Sequence, residues 1–229
     1  MKKLMNHYGI SDDILNILLQ ERSSGDLLNI SVENIYRRCE KNVEMQKKRT
    51  LDNAEVFTPY NIVQRMTRMF EFPENDFDFF NQICVDGCCG EGSFTTTKYD
   101  TVTGREIPIS DRSGLLDLKL KRIPKDISNS EWIKFSKIIL KSLYGYELND
   151  DSLFIARLNI LLDVIDFYRS NYNIELEESV ICDWAEIISY NFFNMDGLTL
   201  CVPNKHIPTK FMNWDKNKME LFNGEEELW

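Results

Sequence analysis

The stretch Cys84-Val-Asp-Gly-Cys-Cys-Gly-Glu-Gly-Ser-Phe94 carries most of the information about the fold. It begins as the end of an apolar strand and then contains three glycines within six residues, Gly87, Gly90 and Gly92. Glycines at this spacing allow a strand to turn sharply, and they let a ligand approach backbone N–H groups because no Cβ atom blocks the way. We therefore predict an α/β fold with a ligand site beside this turn.

Two acidic residues distinguish this turn, which we call the glycine loop (residues 86–94), from a phosphate-binding loop. Asp86 ends the strand and Glu91 lies inside the turn. Ionised carboxylates accept hydrogen bonds and cannot donate them, so they suit a ligand with amine and hydroxyl donors. Glycine-rich turns also follow strands in proteins that bind no ligand there. The turn alone therefore does not identify a ligand site, and the neighbouring segments are needed as further evidence.

The composition is that of one soluble α/β domain with a small N-terminal addition. The chain has 229 residues, of which 43% are hydrophobic and 28% are charged, as in ordinary globular proteins. No apolar run approaches the roughly 18 residues needed to span a bilayer, and the N-terminus lacks a signal-peptide pattern. We therefore expect a cytoplasmic protein without membrane contact.

Charge and cysteine content narrow the range of partners. The net charge of −10 argues against a surface that binds nucleic acid over its whole extent,. The six cysteines show no CxxC spacing and only two histidines are present, which argues against a zinc site,. Reduced thiols in a cytoplasmic protein are the favoured interpretation.

Residues 1–52 are predicted to form a helical N-terminal segment. Ser11 is a suitable N-cap for a first helix, and a second helix is predicted from Ser31 to about Arg49. The later part of this second helix carries basic residues that form a candidate DNA-contacting surface. They are Arg37, Arg38, Lys47, Lys48 and Arg49. The alternative is a solvated helix face on which these side chains pair with acids one turn away, and the basic run at 119–125 offers a second local patch for DNA.

The main domain is predicted to span residues 53–200, and it begins with Glu55-Val-Phe-Thr-Pro59. Thr58 is a suitable N-cap and Pro59 a suitable first helical residue, so a helix should follow. Phe57 and Glu55 would then lie beside a helix N-terminus, where a ligand carboxylate is favoured. Helix capping alone would explain the same residues.

After the glycine loop we predict a hairpin over residues 99–109, turning at Thr103-Gly104. Helices should then occupy residues 111–120 and the segment from Ser130 to about Leu140.

Two further strands are predicted to end in acidic residues. The strand that begins at Ser142 ends at Glu147, and Asn149 then caps a long, well-buried helix,. The segment 191–198 forms a third short strand that ends at Asp196. An acid at the end of a strand beside a glycine-loop strand is the arrangement that grips ribose hydroxyls. The alternative is that Glu147 only extends the helix cap.

Residues 201–229 are predicted to form a C-terminal extension. It should contain a hairpin over residues 210–222 that turns at 215–217, followed by a frayed end at 224–229.

Taken together, these segments resemble the S-adenosylmethionine-binding half of the N6-adenine DNA methyltransferases of restriction-modification systems. Glu55-Val-Phe-Thr-Pro59 resembles the block that lies against the methionine moiety, and Asp86-Gly-Cys-Cys-Gly-Glu-Gly-Ser-Phe94 resembles the family's glycine loop. Tyr144-Gly-Tyr-Glu147 with Ala156-Arg-Leu-Asn159 is similar to the block whose acid binds the ribose. Asn191 to Leu198 is similar to the block whose aspartate binds the adenine amino group.

The resemblance implies a Rossmann-like class I methyltransferase sheet with flanking helices and S-adenosylmethionine as the cofactor. The hairpin that begins at Tyr99 is similar to that of a modification-subunit subgroup. The cofactor-binding residues implied by the match are Glu55, Phe57, Thr58, Pro59, Asp86, Gly87, Cys89, Gly90, Gly92, Glu147, Leu148, Asp196 and Gly197.

The sequence departs from this family at the catalytic block. The family carries Asn-Pro-Pro-Tyr or Asp-Pro-Pro-Tyr, which orients the amino group of the flipped adenine and stacks on the base. This tetrapeptide does not occur in the sequence, and the nearest segment, Val202-Pro-Asn-Lys-His206, lacks the second proline and the aromatic residue. We name no catalytic residue for this reason.

Three functions remain open at this point. The first is the cofactor-binding part of an adenine methyltransferase, as a fragment or as one chain of a split enzyme. A second chain would then carry the catalytic block and the recognition domain and would provide contact with double-stranded DNA. The second is a catalytically inactive homologue that binds cofactor, DNA or a protein in restriction or phage biology. The third is a Rossmann-like scaffold with an empty pocket.

Overall fold

The computed structural model describes residues 1–53 and 55–223, and it shows a mixed α/β protein built on three parallel strands. The strands are β1 (Cys84–Gly87), β2 (Leu143–Glu147) and β3 (Phe192–Asn194), which lie in the order β1-β2-β3. Cys84 pairs with Leu143, and Gly145 pairs with Phe192. The carboxyl ends of the three strands therefore share one edge of the sheet.

The described part of the chain contains nine α-helices. They are α1 (Lys2–Tyr8), α2 (Asp12–Leu19), α3 (Val43–Asn53), α4 (Tyr60–Thr67), α5 (Asp76–Asn81), α6 (Leu115–Lys121), α7 (Asn129–Lys141), α8 (Asp150–Asn171) and α9 (Glu178–Asn191). Two short 3-10 helices, Val32–Asn34 and Arg38–Glu40, connect α2 to α3. Among the described helices, none combines the length and apolar character that crossing a bilayer requires.

Side chains alternate in direction along the strands, so the sheet separates two apolar clusters. Successive side chains in a strand point to opposite faces. Leu143 and Phe192 accordingly pack in the large core formed with α7, α8 and α9. Tyr144 and Phe193 pack on the other face with Phe211, which belongs to a C-terminal hairpin. Helices thus cover one face of the sheet and a hairpin covers the other.

The C-terminal region contains two small antiparallel ribbons. Strand β4 (Cys201–Val202) pairs with β5 (Ile207–Pro208), and β6 (Lys210–Asn213) pairs with β7 (Lys218–Leu221). The second ribbon confirms the hairpin predicted over residues 210–222. The predicted frayed end at 224–229 lies outside the described residues.

The N-terminal helices belong to the same core as the helices that flank the sheet. Met5, Ile14 and Leu18 are buried in one cluster with residues of α8 and α9. Their attachment is also polar, since the Tyr8 hydroxyl donates to Asp166 Oδ1 at 2.7 Å. Burying this apolar area contributes about 25 cal/mol per Å², so α1 and α2 are held by α8 and α9.

Long-range contacts change several of the predicted boundaries before the sheet. The helix predicted over residues 31–49 is wrong, because only α3 is α-helical and the preceding residues form two 3-10 turns. In that stretch Arg37 donates to Asn159 Oδ1 at 2.9 Å, so tertiary contacts outweigh local helix propensity,. The cap prediction at Thr58 is wrong by one position, since Pro59 is the N-cap of α4. The Thr58 carbonyl instead accepts a hydrogen bond from Thr101 Oγ1 at 3.1 Å.

Boundaries after the glycine loop also differ from the predictions. The hairpin over residues 99–109 is reduced to one antiparallel bridge between Tyr99 and Glu106. Helix α6 starts at Leu115 rather than near residue 111. Ser128 rather than Ser130 caps α7, because its hydroxyl accepts from the Glu131 amide at 3.3 Å.

The third strand ends earlier than expected. It stops at Asn194, so the prediction that it ends at Asp196 is wrong. The Asn194 amide group donates to the carbonyls of Glu147 and Leu148, both at 3.0 Å. These bonds tie β3 to the end of β2 and leave Asp196 in the following turn.

Candidate functional site

The glycine loop contacts the segment predicted to lie beside it. Gly90 has a φ of +56°, and a Cβ atom on it would lie 3.3 Å from Phe57 Cε1. The Phe57 side chain is buried, and the guanidinium carbon of Arg38 lies 4.9 Å from the centre of its ring. A residue larger than glycine at position 90 would be strained by its backbone and crowded by Phe57. The 55–59 segment and the loop therefore form one surface.

Glu147 connects the end of β2 to the glycine loop. Its Oε2 accepts the Gly90 N–H at 2.9 Å, and its Oε1 accepts the Asn149 backbone N–H at 3.0 Å and the Asn149 side-chain amide at 2.9 Å. The side chain is buried, with 6% of the residue exposed. Since each carboxylate oxygen has two acceptor positions, Oε2 can take one more donor. The predicted ribose-binding acid is thus held in a fixed orientation.

The turn after β3 also reaches the glycine loop. Asp196 Oδ1 accepts the Leu198 N–H at 2.9 Å, which closes the turn. A Cβ atom on Gly197 would lie 3.2 Å from Tyr146 Cε2 and 3.9 Å from Cys88 Sγ. The predicted adenine-binding segment therefore lies against β2 and the loop, although its aspartate follows the strand rather than ending it.

The two acids of the glycine loop are buried. Asp86 accepts from Thr95 Oγ1 at 3.2 Å, and burial raises its pKa to about 7, with a further contribution from the Glu147 charge. Glu91 Oε1 accepts the Arg38 N–H at 2.6 Å, and burial raises its pKa to about 7 as well. The charge of the loop consequently changes with pH near neutrality.

The Glu55 carboxylate is bonded to neighbouring charged and polar groups. Arg49 Nε lies 2.8 Å from both of its carboxylate oxygens, and Ser152 Oγ donates to Oε1 at 3.1 Å. Arg49 also binds Asp151 Oδ1 at 2.7 Å. Glu55 therefore orders the start of α8 instead of facing a ligand.

The predicted DNA-contacting residues separate into two groups. Three of them are used inside the fold: Arg49 binds Glu55, Arg37 stacks 3.8 Å from the centre of the Tyr99 ring, and Arg38 stacks on Phe57. Lys47 and Lys48 are exposed on α3.

Most basic side chains of the second run, residues 119–125, also bond to other residues of the protein. Lys119 is fully buried and donates to the Ser142 hydroxyl at 2.7 Å. Lys121 Nζ donates to the Ser110 carbonyl at 2.9 Å, and Arg122 Nε lies 2.6 Å from Asp76 Oδ1. These contacts engage Lys119 and Arg122, whereas Lys121 keeps one ammonium donor and Lys125 is exposed.

An open cleft of about 440 Å³ adjoins the ends of β2 and β3. Leu148, Asn149 and Asn194 line one side, and the N-terminal residues 27–30 line the other. Asp150 Oδ2 accepts the Asn29 N–H at 2.8 Å, which holds the two sides together. The cleft provides room for a ligand beside Leu148, one of the predicted site residues.

Four residues that shape the site are not among the site residues predicted from the sequence. On α8, Ala156 leaves room for Gly92, whose Cβ position lies 3.3 Å from the Ala156 Cβ. The amide of Asn159 donates to the Glu91 carbonyl at 3.0 Å. Arg157 and Asn194 fix the edge near β3. The available signals were the resemblance of Ala156-Arg-Leu-Asn159 to one family block and of Asn191 to Leu198, which contains Asn194, to another.

Compared with known proteins, the chain matches no family model, no curated protein and no solved structure. Its class is therefore given by its own architecture, a mixed α/β protein with a three-stranded parallel sheet. Its function has to be argued from the carboxyl edge of that sheet.

Proposed function

We propose that the chain binds S-adenosylmethionine at the carboxyl edge of a Rossmann-like sheet and forms the cofactor-binding part of an adenine-N6 DNA methyltransferase. One observation carries the proposal: three segments far apart in the sequence meet at the glycine loop. Phe57 contacts Gly90, Glu147 accepts the Gly90 N–H, and Gly197 lies beside Cys88. These are the segments that the family resemblance assigns to one ligand.

In this proposal each segment contacts a different part of the ligand. Glu147 accepts a ribose hydroxyl with the free acceptor position of Oε2, and the cleft beside Leu148 takes up the adenine. Phe57 and the glycine loop flank the methionine part. Asp196 would have to open the bond to the Leu198 N–H, or share its carboxylate, to bind the adenine amino group.

The chemistry needs positioning rather than an acid or a base from this chain. Bound S-adenosylmethionine supplies an electrophilic methyl group, and transfer is fast when the acceptor nitrogen is held in line with it. This chain would fix one side of that geometry. A second chain with the Asn-Pro-Pro-Tyr block and a recognition domain would present the adenine of double-stranded DNA.

Calorimetry with S-adenosylmethionine tests the binding step. We expect measurable heat for the wild-type chain and about a tenfold or larger loss of affinity for Glu147→Gln, because a charge-assisted hydrogen bond is worth about 1.5–3 kcal/mol. Glu186→Gln, at an exposed position on α9, serves as the matched control and should bind like the wild type. Absence of heat at millimolar ligand would refute the proposal.

A catalytically inactive homologue is the second candidate, and the missing tetrapeptide favours it. Both candidates predict that the purified chain alone transfers no labelled methyl group to DNA. They differ when a chain carrying the missing block is added, since only the split enzyme then becomes active. Methylation by this chain alone would contradict both.

A further inference from the structure

A second cavity, of about 600 Å³, lies between α4 and α6 and shares no lining residue with the proposed cofactor site. The loop over residues 110–113 closes one side of it. Its volume falls in the range of about 300–1,000 Å³ that is typical of small-molecule sites. We call it the α4–α6 cavity.

An aromatic surface forms one wall of the α4–α6 cavity. The rings of Phe70 and Phe72 lie 6.1 Å apart at 42°, and Phe72 is supported by Phe79 at 4.9 Å. Phe79 is buried, whereas 55% of Phe70 is exposed. A half-exposed ring that packs on Phe72, which in turn packs on buried Phe79, is a suitable platform for a planar ligand, because stacking does not require the platform to be ordered on binding,.

Basic residues also line the cavity. Within the described residues, the Arg68 guanidinium has no hydrogen-bond or ion-pair partner. Lys121 also lines the cavity and donates to the Ser110 and Arg112 carbonyls, which leaves one of its three ammonium donors, while Arg112 is paired with Asp166 at 2.8 Å and with Asp163 at 2.6 Å. Arg68 and Lys121 thus line the cavity together with one further acid, Asp111, in a chain whose net charge is −10. A guanidinium with free donors suits a phosphate.

Polar side chains that line the cavity are ordered by hydrogen bonds. The Tyr60 hydroxyl donates to the Asp111 carbonyl at 2.7 Å and accepts from Gln64 Nε2 at 2.8 Å. Ser113 Oγ also lines the cavity and interacts with the Tyr60 side chain. These groups offer hydrogen-bonding positions to the polar edge of a ligand.

We propose that the α4–α6 cavity binds one nucleotide unit, with its base stacked on Phe70 and its phosphate on Arg68 and Lys121. The same chemistry is offered by a free nucleoside monophosphate and by an unpaired nucleotide within a strand. The inference does not depend on S-adenosylmethionine binding, since the two sites have no residue in common.

Calorimetric titration with adenosine monophosphate tests the site. We expect binding that falls about tenfold or more in Arg68→Ala and in Phe70→Ala, because stacking on an aromatic ring is worth about 1–3 kcal/mol per base. Arg65→Ala is the matched control, since Arg65 is exposed on the same helix and does not line the cavity. Adenosine alone and inorganic phosphate alone should each bind at least about tenfold more weakly.

Further titrations distinguish the two possible sources of the nucleotide, and they distinguish the α4–α6 cavity from the glycine loop. A short single-stranded oligonucleotide that binds more tightly than the monophosphate identifies a nucleic-acid strand as the source, and the reverse order identifies a free nucleotide. Binding should survive in Glu147→Gln. Loss of nucleotide binding in Glu147→Gln with retention in Arg68→Ala would place the nucleotide at the glycine loop and overturn the proposal, as would no binding of any probe at millimolar concentration.

Discussion

The two halves of the sheet's carboxyl edge differ in how much the chain has already bonded to itself. In the β1–β2 half, Glu147 accepts the Gly90 N–H and the Cys89 N–H is bonded to the Tyr146 carbonyl at 2.9 Å. In the β2–β3 half, Asn194 closes the strands but an open cleft remains beside Leu148. The first half provides a fixed orientation, and the second provides space. Changes in either half should therefore have different consequences.

The largest expected effect comes from removing the residue that holds the open half together. Arg157 donates to the carbonyls of Leu18 at 2.7 Å, Gln20 at 2.9 Å and Phe192 at 2.8 Å. Arg157→Met should lower the free energy of unfolding by about 3–5 kcal/mol, because it leaves buried polar groups without partners. Urea denaturation measures this. The control, Arg169→Met on the exposed side of α8, should change it by less than about 1 kcal/mol.

The closed half should respond to pH through Asp86. Its pKa in the folded chain, about 7, exceeds the usual value of about 4, so the folded state holds a proton that the unfolded state releases,. Stability from this group is present at low pH and is lost as the pH rises from about 4 to about 7.

Asp86→Asn removes this dependence. Between pH 4 and 7 the variant should gain stability relative to the wild type, on the order of 3 kcal/mol. Denaturation curves at several pH values give the difference directly. A constant difference over this range would show that Asp86 is ionised throughout.

Breaking the connection between the two halves should have an intermediate effect. Glu147→Gln replaces one acceptor oxygen with a donor, so either the Gly90 or the Asn149 contact is lost. We expect a loss of about 2 kcal/mol in unfolding free energy. Asp196→Asn, which retains an acceptor for the Leu198 N–H, should cost less than about 1 kcal/mol. Equal effects of the two changes would remove the distinction between the halves.

The smallest effect is expected from crowding the closed half. Gly90→Ala places a Cβ in a left-handed conformation and 3.3 Å from Phe57 Cε1. The cost should be about 1–2 kcal/mol. Combining it with Phe57→Leu should recover the part caused by crowding, and a thermal denaturation series separates the two contributions. Full additivity of the two changes would show that the Cβ at position 90 and the Phe57 ring do not crowd each other.

Local sequence patterns predicted the elements whose stabilising contacts are local or strictly alternating. Glycines placed the loop after β1, and the acidic end of β2 was correctly located at Glu147. The hairpin over residues 210–222 also followed from its alternation. These features depend on backbone geometry and on burial of one face, which the residue order expresses directly.

The remaining features depend on contacts between distant segments. The helix predicted over residues 31–49 fails because Arg37 binds Asn159, which is 122 positions away. Likewise, no pattern in the sequence shows that Arg49 is paired with Glu55 and Asp151. The sequence identified which residues could form the site, but only interatomic distances show which of them are already bonded to other residues of the protein.

The buried attachment of the first two helices has a consequence for synthesis on the ribosome. The hydrogen bonds from Arg157 to the Leu18 and Gln20 carbonyls cannot form until Arg157 has been made, and Arg157 also donates to the carbonyl of Phe192, which is made later still. At roughly 5–20 residues per second, the N-terminal segment would wait on the order of ten seconds after its own emergence. During that interval its apolar side chains are accessible to chaperones and proteases. Cellular yield should therefore depend on the translation rate between α2 and β3.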